Sequence, residues 1–137
     1  ATATSLTLAA DTISVVNYTG AAAATCTLPA ATAGTVVVYA QAVDTTGGTA
    51  VLTFDAAGSD VWATGSVIES RGSSEVTFDT SAAGETKLTF TPANATTNLL
   101  TVGGQIAFIC YETGTWHIAT SLARETTQVT GVFAFAA

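Results

Sequence analysis

Positive charge is what this 137-residue chain has least of: Arg71, Lys87 and Arg124 stand against ten acidic residues, for a net charge of −7. A nucleic-acid binder neutralises phosphates with clusters of Lys and Arg, and three scattered cations cannot do that. The same shortage disfavours anionic membrane surfaces. Charge of either sign is scarce, at 9% of residues against about 25% in an ordinary globular protein. No apolar run approaches the roughly 20 residues of a membrane-spanning helix. No signal peptide is visible, since the first residues lack its basic n-region and long h-region; a start at Ala fits removal of an initiator Met and signal cleavage alike. The only cysteines, Cys26 and Cys110, lie outside any CxxC or Cys/His spacing, which argues against a metal centre. Each sits among strand-forming residues, as a buried thiol would. A disulfide between them would require neighbouring strands with matched Cβ atoms. No cofactor is expected.

Thr and Ala occupy the positions that charge leaves open. Thr suits a pleated, half-buried surface because its branched Cβ is crowded in a helix. The alanine runs at 21–24 and 30–33 adjoin Gly20, Pro29 and Gly34 and read as tight loops or thin strands. The length fits one domain with a core of its own. Soluble monomers keep apart through interspersed charges. An exterior of Thr, Ser, Ala and backbone is therefore expected to be covered largely by partner subunits.

Strand candidates recur at short spacing: 5–8, 12–18, 25–28, 36–43, 50–54, 61–63, 66–70, 75–79, 86–91, 97–102, 105–111, 115–120 and a final run at 128–135. Residues 36–43 and 105–111 are apolar on both faces, which places them centrally. Turn residues at 44–48, 81–84 and 112–114 predict hairpins joining the strands on either side, the second being the clearest. The 75–79 strand should turn Val76 and Phe78 inward and Glu75, Thr77 and Asp79 outward. No helical crossover is visible. The expectation is an all-β, single-domain antiparallel β-barrel or β-sandwich of jelly-roll-like character, with about ten short strands. Residues 1–20 would form an N-terminal arm, 25–120 the core and 128–137 an intersubunit strand. The apolar end, Val132-Phe133-Ala134-Phe135, must dock in its own core or on a neighbour. Leu6, Leu8, Val129, Val132, Phe133 and Phe135 are the expected interface residues.

Chemistry is thinly provided. His117 is the only histidine and has no nucleophile motif to serve, so a structural role is expected of it. Asp55 and Asp60 flank a Gly-Ser turn where loop carboxylates could hold Ca²⁺, but the spacing of an EF-hand is missing. Glu75 with Asp79 could pair as in glycoside hydrolysis, yet no aromatic cleft surrounds them and a solvated face explains them better. Trp62 and Trp116 could stack on sugars; a plug at one end of the fold and an interface contact are the plainer roles. Asn17-Tyr18-Thr19 and Asn94-Ala95-Thr96 match the N-glycosylation pattern, which Thr-rich chains produce by chance. The residues argue for no enzyme.

A block framed by Leu28-Pro29-Ala30-Ala31-Thr32-Ala33-Gly34 and Gly114-Thr115-Trp116-His117-Ile118 stands out. Over about residues 25–120 it resembles small virion proteins of tailed bacteriophages, notably of marine and cyanobacterial phages. These read as an LPA-rich turn with Gly, a hydrophobic strand, Thr/Gly-rich hairpins and a late G-T-x-W hairpin. Similar frames occur in capsid decoration (cement) proteins and in head or tail fibre modules. The resemblance implies a β-rich homotrimer on the capsid surface, bound to the major capsid protein, with no catalytic residues. The chain lacks the collagen-like or coiled-coil stalk of a fibre, which favours decoration. A receptor- or glycan-binding fibre tip and a secreted bacterial adhesin-type module are the alternatives.

Overall fold

The computed structural model describes residues 5–45, 48–71, 76–91, 102–124 and 133–137. Every regular element among them is a strand: β1 (Ser5–Thr7), β2 (Thr12–Val16), β3 (Ala24–Thr27), β4 (Val36–Gln41), β5 (Leu52–Asp55), β6 (Val61–Trp62), β7 (Val67–Arg71), β8 (Val76–Thr80), β9 (Lys87–Phe90), β10 (Gln105–Glu112), β11 (Thr115–Arg124) and β12 (Phe133–Ala136). They form a sandwich-like pair of sheets, ordered β1-β3-β5-β9-β12 and β2-β4-β10-β11-β7-β8, with β6 added alongside β11. Neither sheet closes into a barrel.

The all-β expectation holds, but the sheets are mixed rather than antiparallel. From β1 to β5 the chain changes sheet at every loop. Each return to a sheet therefore runs in the same direction as the previous visit, and β1, β3 and β5 pair in parallel, as do β2 and β4. Residues 5–16, part of the segment expected as an N-terminal arm, supply an edge strand to each sheet. The candidate strand at 97–102 lies mainly outside the described residues.

Two of the three expected hairpins are not formed. The 44–48 turn links β4 to β5, which belong to different sheets. Its loop docks on the 17–23 loop instead of folding back: Ala50 N–H donates to Gly20 O (3.0 Å) and Ala24 N–H to Val51 O (3.0 Å). Gly20 and Gly48 meet backbone to backbone, and a Cβ on either would lie 2.8 Å from the carbonyl oxygen of the other. The 81–84 turn likewise carries the chain from β8 to β9 across the sandwich. It is held by neighbours from elsewhere: Gly65 N–H donates to Ser81 O (2.9 Å), Ser81 N–H to Ser66 O (2.9 Å) and Trp62 N–H to Glu85 O (2.8 Å). The third hairpin, β10–β11, forms as expected, with register irregularities after Ala107 and Ile109.

One core lies between the sheets. Alternation turns Cys26, Phe54, Leu88, Phe90, Phe133 and Phe135 inward from one sheet and Val37, Tyr39, Ile106, Phe108, Cys110 and Trp116 from the other. Aromatic contacts bridge the layers. Phe54 of β5 meets Tyr39 of β4 edge-on at 4.9 Å between centroids and Phe108 of β10 at 5.3 Å. Trp62 continues the series to Phe108 at 5.5 Å and to Phe135 at 5.7 Å. The polar Gln41 is buried without cost. Its Oε1 accepts from the Tyr39 hydroxyl, and its Nε2 donates to Tyr18 O (2.7 Å) and Val43 O (2.6 Å). The last strand pairs with β9, and Asp79 Oδ2 of β8 accepts from Phe135 N–H at 2.8 Å, tying the two sheets together along that side.

Truncation of Phe54 removes the centre of this aromatic series. Phe54→Ala is expected to cost about 3–5 kcal/mol, read as a fall in the denaturant midpoint with an unchanged slope.

Candidate functional site

The two ends of the framed block come together at one end of the sandwich. Gly34 N–H donates to Cys110 O and Gly114 N–H to Ala31 O, both at 2.8 Å, and Val61 N–H donates to Gly114 O at 3.0 Å. Gly114 has φ 89°, a left-handed conformation that a side chain would oppose. Asp60 Oδ2 accepts from Ala31 N–H at 2.7 Å, so this carboxylate fastens the LPA turn. Trp62 and Trp116 are register partners on the parallel pair β6–β11, and both are buried. The frame is thus a structural clasp joining three loops, not a set of reactive groups.

The candidate chemical residues are dispersed. Asp55 and Asp60 do not act together: Asp55 faces Lys87 across the β5–β9 pair, and Asp60 serves Ala31. Among the described residues no group of three His, Cys, Asp or Glu side chains could hold a metal ion. Asp79, expected on a solvated face, is half-buried and bound to Phe135 N–H; Glu75 lies outside the described residues. Burial of both tryptophans removes the sugar platform they could have formed. Their indole nitrogens and the Ser66 hydroxyl are buried without a hydrogen-bond partner. His117 packs edge-on against Tyr111, with ring centroids 5.0 Å apart. Asn17 is partly buried beside β2, and Asn94 lies outside the described residues.

The two cysteines are free and buried in opposite sheets, as thiols of the core. Burial pushes the Cys26 thiol up from 9.0 to about 11. Burial also raises the Tyr18 and Tyr39 hydroxyls well above their ordinary range, with Cys26 and then Tyr18 adding to the effect at Tyr39.

The residues expected at an interface divide. Leu8, Phe133 and Phe135 fill the chain's own core, Leu6 packs against it, and Val129 and Val132 lie outside the described residues. Of the two places expected for the apolar end, its described part takes the chain's own core. What the sequence reading missed is a surface.

The outer faces of the two sheets differ in kind. On the smaller sheet the register sets Ser5, Thr25, Thr53, Thr89 in one row and Thr7, Thr27, Asp55, Lys87 in another. These are hydroxyl and charged groups suited to water. On the larger sheet the rows are Ile13, Val38, Ala107, Thr120 and Val36, Ile109, His117. None of the latter bears a fixed charge, and Ile13 is 66% exposed, Val15 57% and Tyr111 67%. The signal was present in residues 36–43 and 105–111. Apolar on both faces, in a fold with only two layers, they leave one apolar face turned outward.

The fold and these surfaces define a two-layer all-β module in which β2, β4 and the body of β10 give the larger sheet an apolar outer patch, with Glu69 of β7 and Glu112 at the end of β10 outside it. No protein-family model matches the chain, nor does any curated protein or solved structure.

Two outcomes follow from the clasp and the buried acids. Asp60→Ala should cost roughly 1–3 kcal/mol by leaving Ala31 N–H without its carboxylate, measured by denaturant unfolding. The folded protein also keeps protons on Cys26, Tyr18 and Tyr39 where the unfolded chain has released them. The stability these three groups contribute is therefore fully present below about pH 9 and is lost as pH rises from there. Thermal melts at rising pH should show this decline, and a thiol reagent should modify both cysteines only on unfolding.

Proposed function

We propose that the chain is a non-enzymatic virion structural protein, a capsid decoration (cement) protein of a tailed bacteriophage that binds the outer capsid as a homo-oligomer. The observation that carries this reading is the apolar outer patch that β2, β4 and β10 form on the larger sheet, a surface suited to burial in an assembly rather than to a reaction. Large exposed apolar patches mark interaction sites in soluble proteins. The scattering of the acids and of His117 supports a role without chemistry. The likeness of the framed block to small phage virion proteins supports the virion and the major capsid protein as the setting. A cement protein bridges neighbouring capsid subunits and adds buried contact against internal pressure. A standard specific interface buries about 1,600 Å², and a symmetric oligomer repeats its contact at each copy.

The fibre-tip alternative gains little, because the two tryptophans that could have stacked on sugars are buried. The test is co-sedimentation of the purified protein with isolated, undecorated heads of tailed phage. The protein should travel with the heads through a density gradient and raise their resistance to heat. Failure to bind any such head would reject the decoration role.

A further inference from the structure

We infer that the Asp79 carboxylate guards the open edge of the smaller sheet and keeps a further strand from pairing with β12. The guard is independent of the assembly reading above, because it concerns a contact that the protein avoids. The smaller sheet ends at β12, which pairs with β9 and with no other strand among the described residues. In an antiparallel pair the polar groups of successive residues point alternately toward the partner and away from it. Ala134 and Ala136 turn theirs toward the β9 side, where Ala134 O accepts from Thr89 Oγ1 (3.1 Å) and Ala136 O from Thr86 N–H (2.9 Å). Phe135 therefore turns its N–H to the open side, and there Asp79 Oδ2 accepts it at 2.8 Å.

Two observations call for a guard at this place. The first is the sequence of the strand itself. Val132-Phe133-Ala134-Phe135-Ala136-Ala137 holds no charge, Pro or Gly, and no charged residue follows Glu125. Apolar segments of this length, once open at a sheet edge, stack with their like into cross-β assemblies. A Lys or Pro on the edge strand, or a charge turned in beside it, is the common protection, and β12 carries neither Lys nor Pro. The second is the position of Asp79. β8 pairs with β7 in the other sheet, so β8 and β12 flank one another with no ladder between them. Asp79 bridges these two strands as a half-buried side chain. Its carboxylate occupies the N–H through which an added strand would pair. It also holds a charge there that the added strand would have to strip of water.

The experiment follows the loss of soluble protein and the growth of dye-binding cross-β polymer in concentrated, stirred solutions. Thermal melts establish which variants are folded. Asp79→Ala removes both the acceptor and the charge, whereas Asp79→Lys removes the acceptor and keeps a charge at the edge. Asp60→Ala loosens the clasp and leaves Asp79 in place, which separates an opened edge from a general loss of stability. Asp79→Ala should pass from solution into polymer under conditions in which the wild type, Asp79→Lys and Asp60→Ala stay soluble. Should Asp79→Ala fail to fold, Asp79→Asn decides. Its amide oxygen still accepts from Phe135 N–H, but it yields that N–H to an added strand without a charge to desolvate, so it too should polymerise. A folded deciding variant that stays as soluble as the wild type overturns the inference. Polymer formed equally by folded Asp60→Ala or Asp79→Lys overturns it as well, because the cause is then lost stability and not an opened edge.

Discussion

The structure depends on aromatic contact between its two sheets. Tyr39, Phe54, Phe108, Trp62 and Phe135 touch in succession from one layer to the other and back, at centroid separations of 4.9 to 5.7 Å. Short strands with few charges gain little from local pairing alone, and a lone hairpin is marginal in water. Large rings supply the buried area that makes the layers cohere.

Parallel pairing is the second constraint, and it follows from how the chain crosses that core. Loops that dock on other loops, rather than reversing beside their own strand, send the chain to the opposite layer. The backbone contact of Gly20 with Gly48 and the binding of the 81–86 segment by the loop that contains Gly65 and Ser66 are two such devices. Parallel strands need a crossover between them. Here the crossover is a strand of the other sheet, so winding and sandwich formation are one event. The clasp at Asp60 and Gly114 then fixes the end where two of these crossing loops meet the β10–β11 hairpin.

With both layers facing the same core, their outer faces are free to diverge. One is hydroxyl-rich, with an Asp–Lys neighbour pair; the other has an aliphatic patch over β2, β4 and β10 and carries Glu69 on β7. The low charge of the chain is thus not spread evenly over its surface, and the acids lie chiefly in loops and in the later strands. Such asymmetry gives a neutral module one face for water and one for contact.

By itself the sequence determined the strand class, most strand positions, the β10–β11 hairpin and the burial of both cysteines, because these rest on period-two alternation and on turn residues that act locally. It also carried the apolar character of both faces of residues 36–43 and 105–111. Tertiary structure alone decided which strands pair. A turn rich in Gly, Ser or Asp reverses direction whether it closes a hairpin or crosses to the other sheet, and only the docking of the loop selects between them. It likewise decided that Phe133 and Phe135 complete the core and that Asp79 fastens the last strand. Asp60 holds a turn for the same reason: a carboxylate's role depends on which backbone N–H the fold brings to it, and no local pattern records that partner.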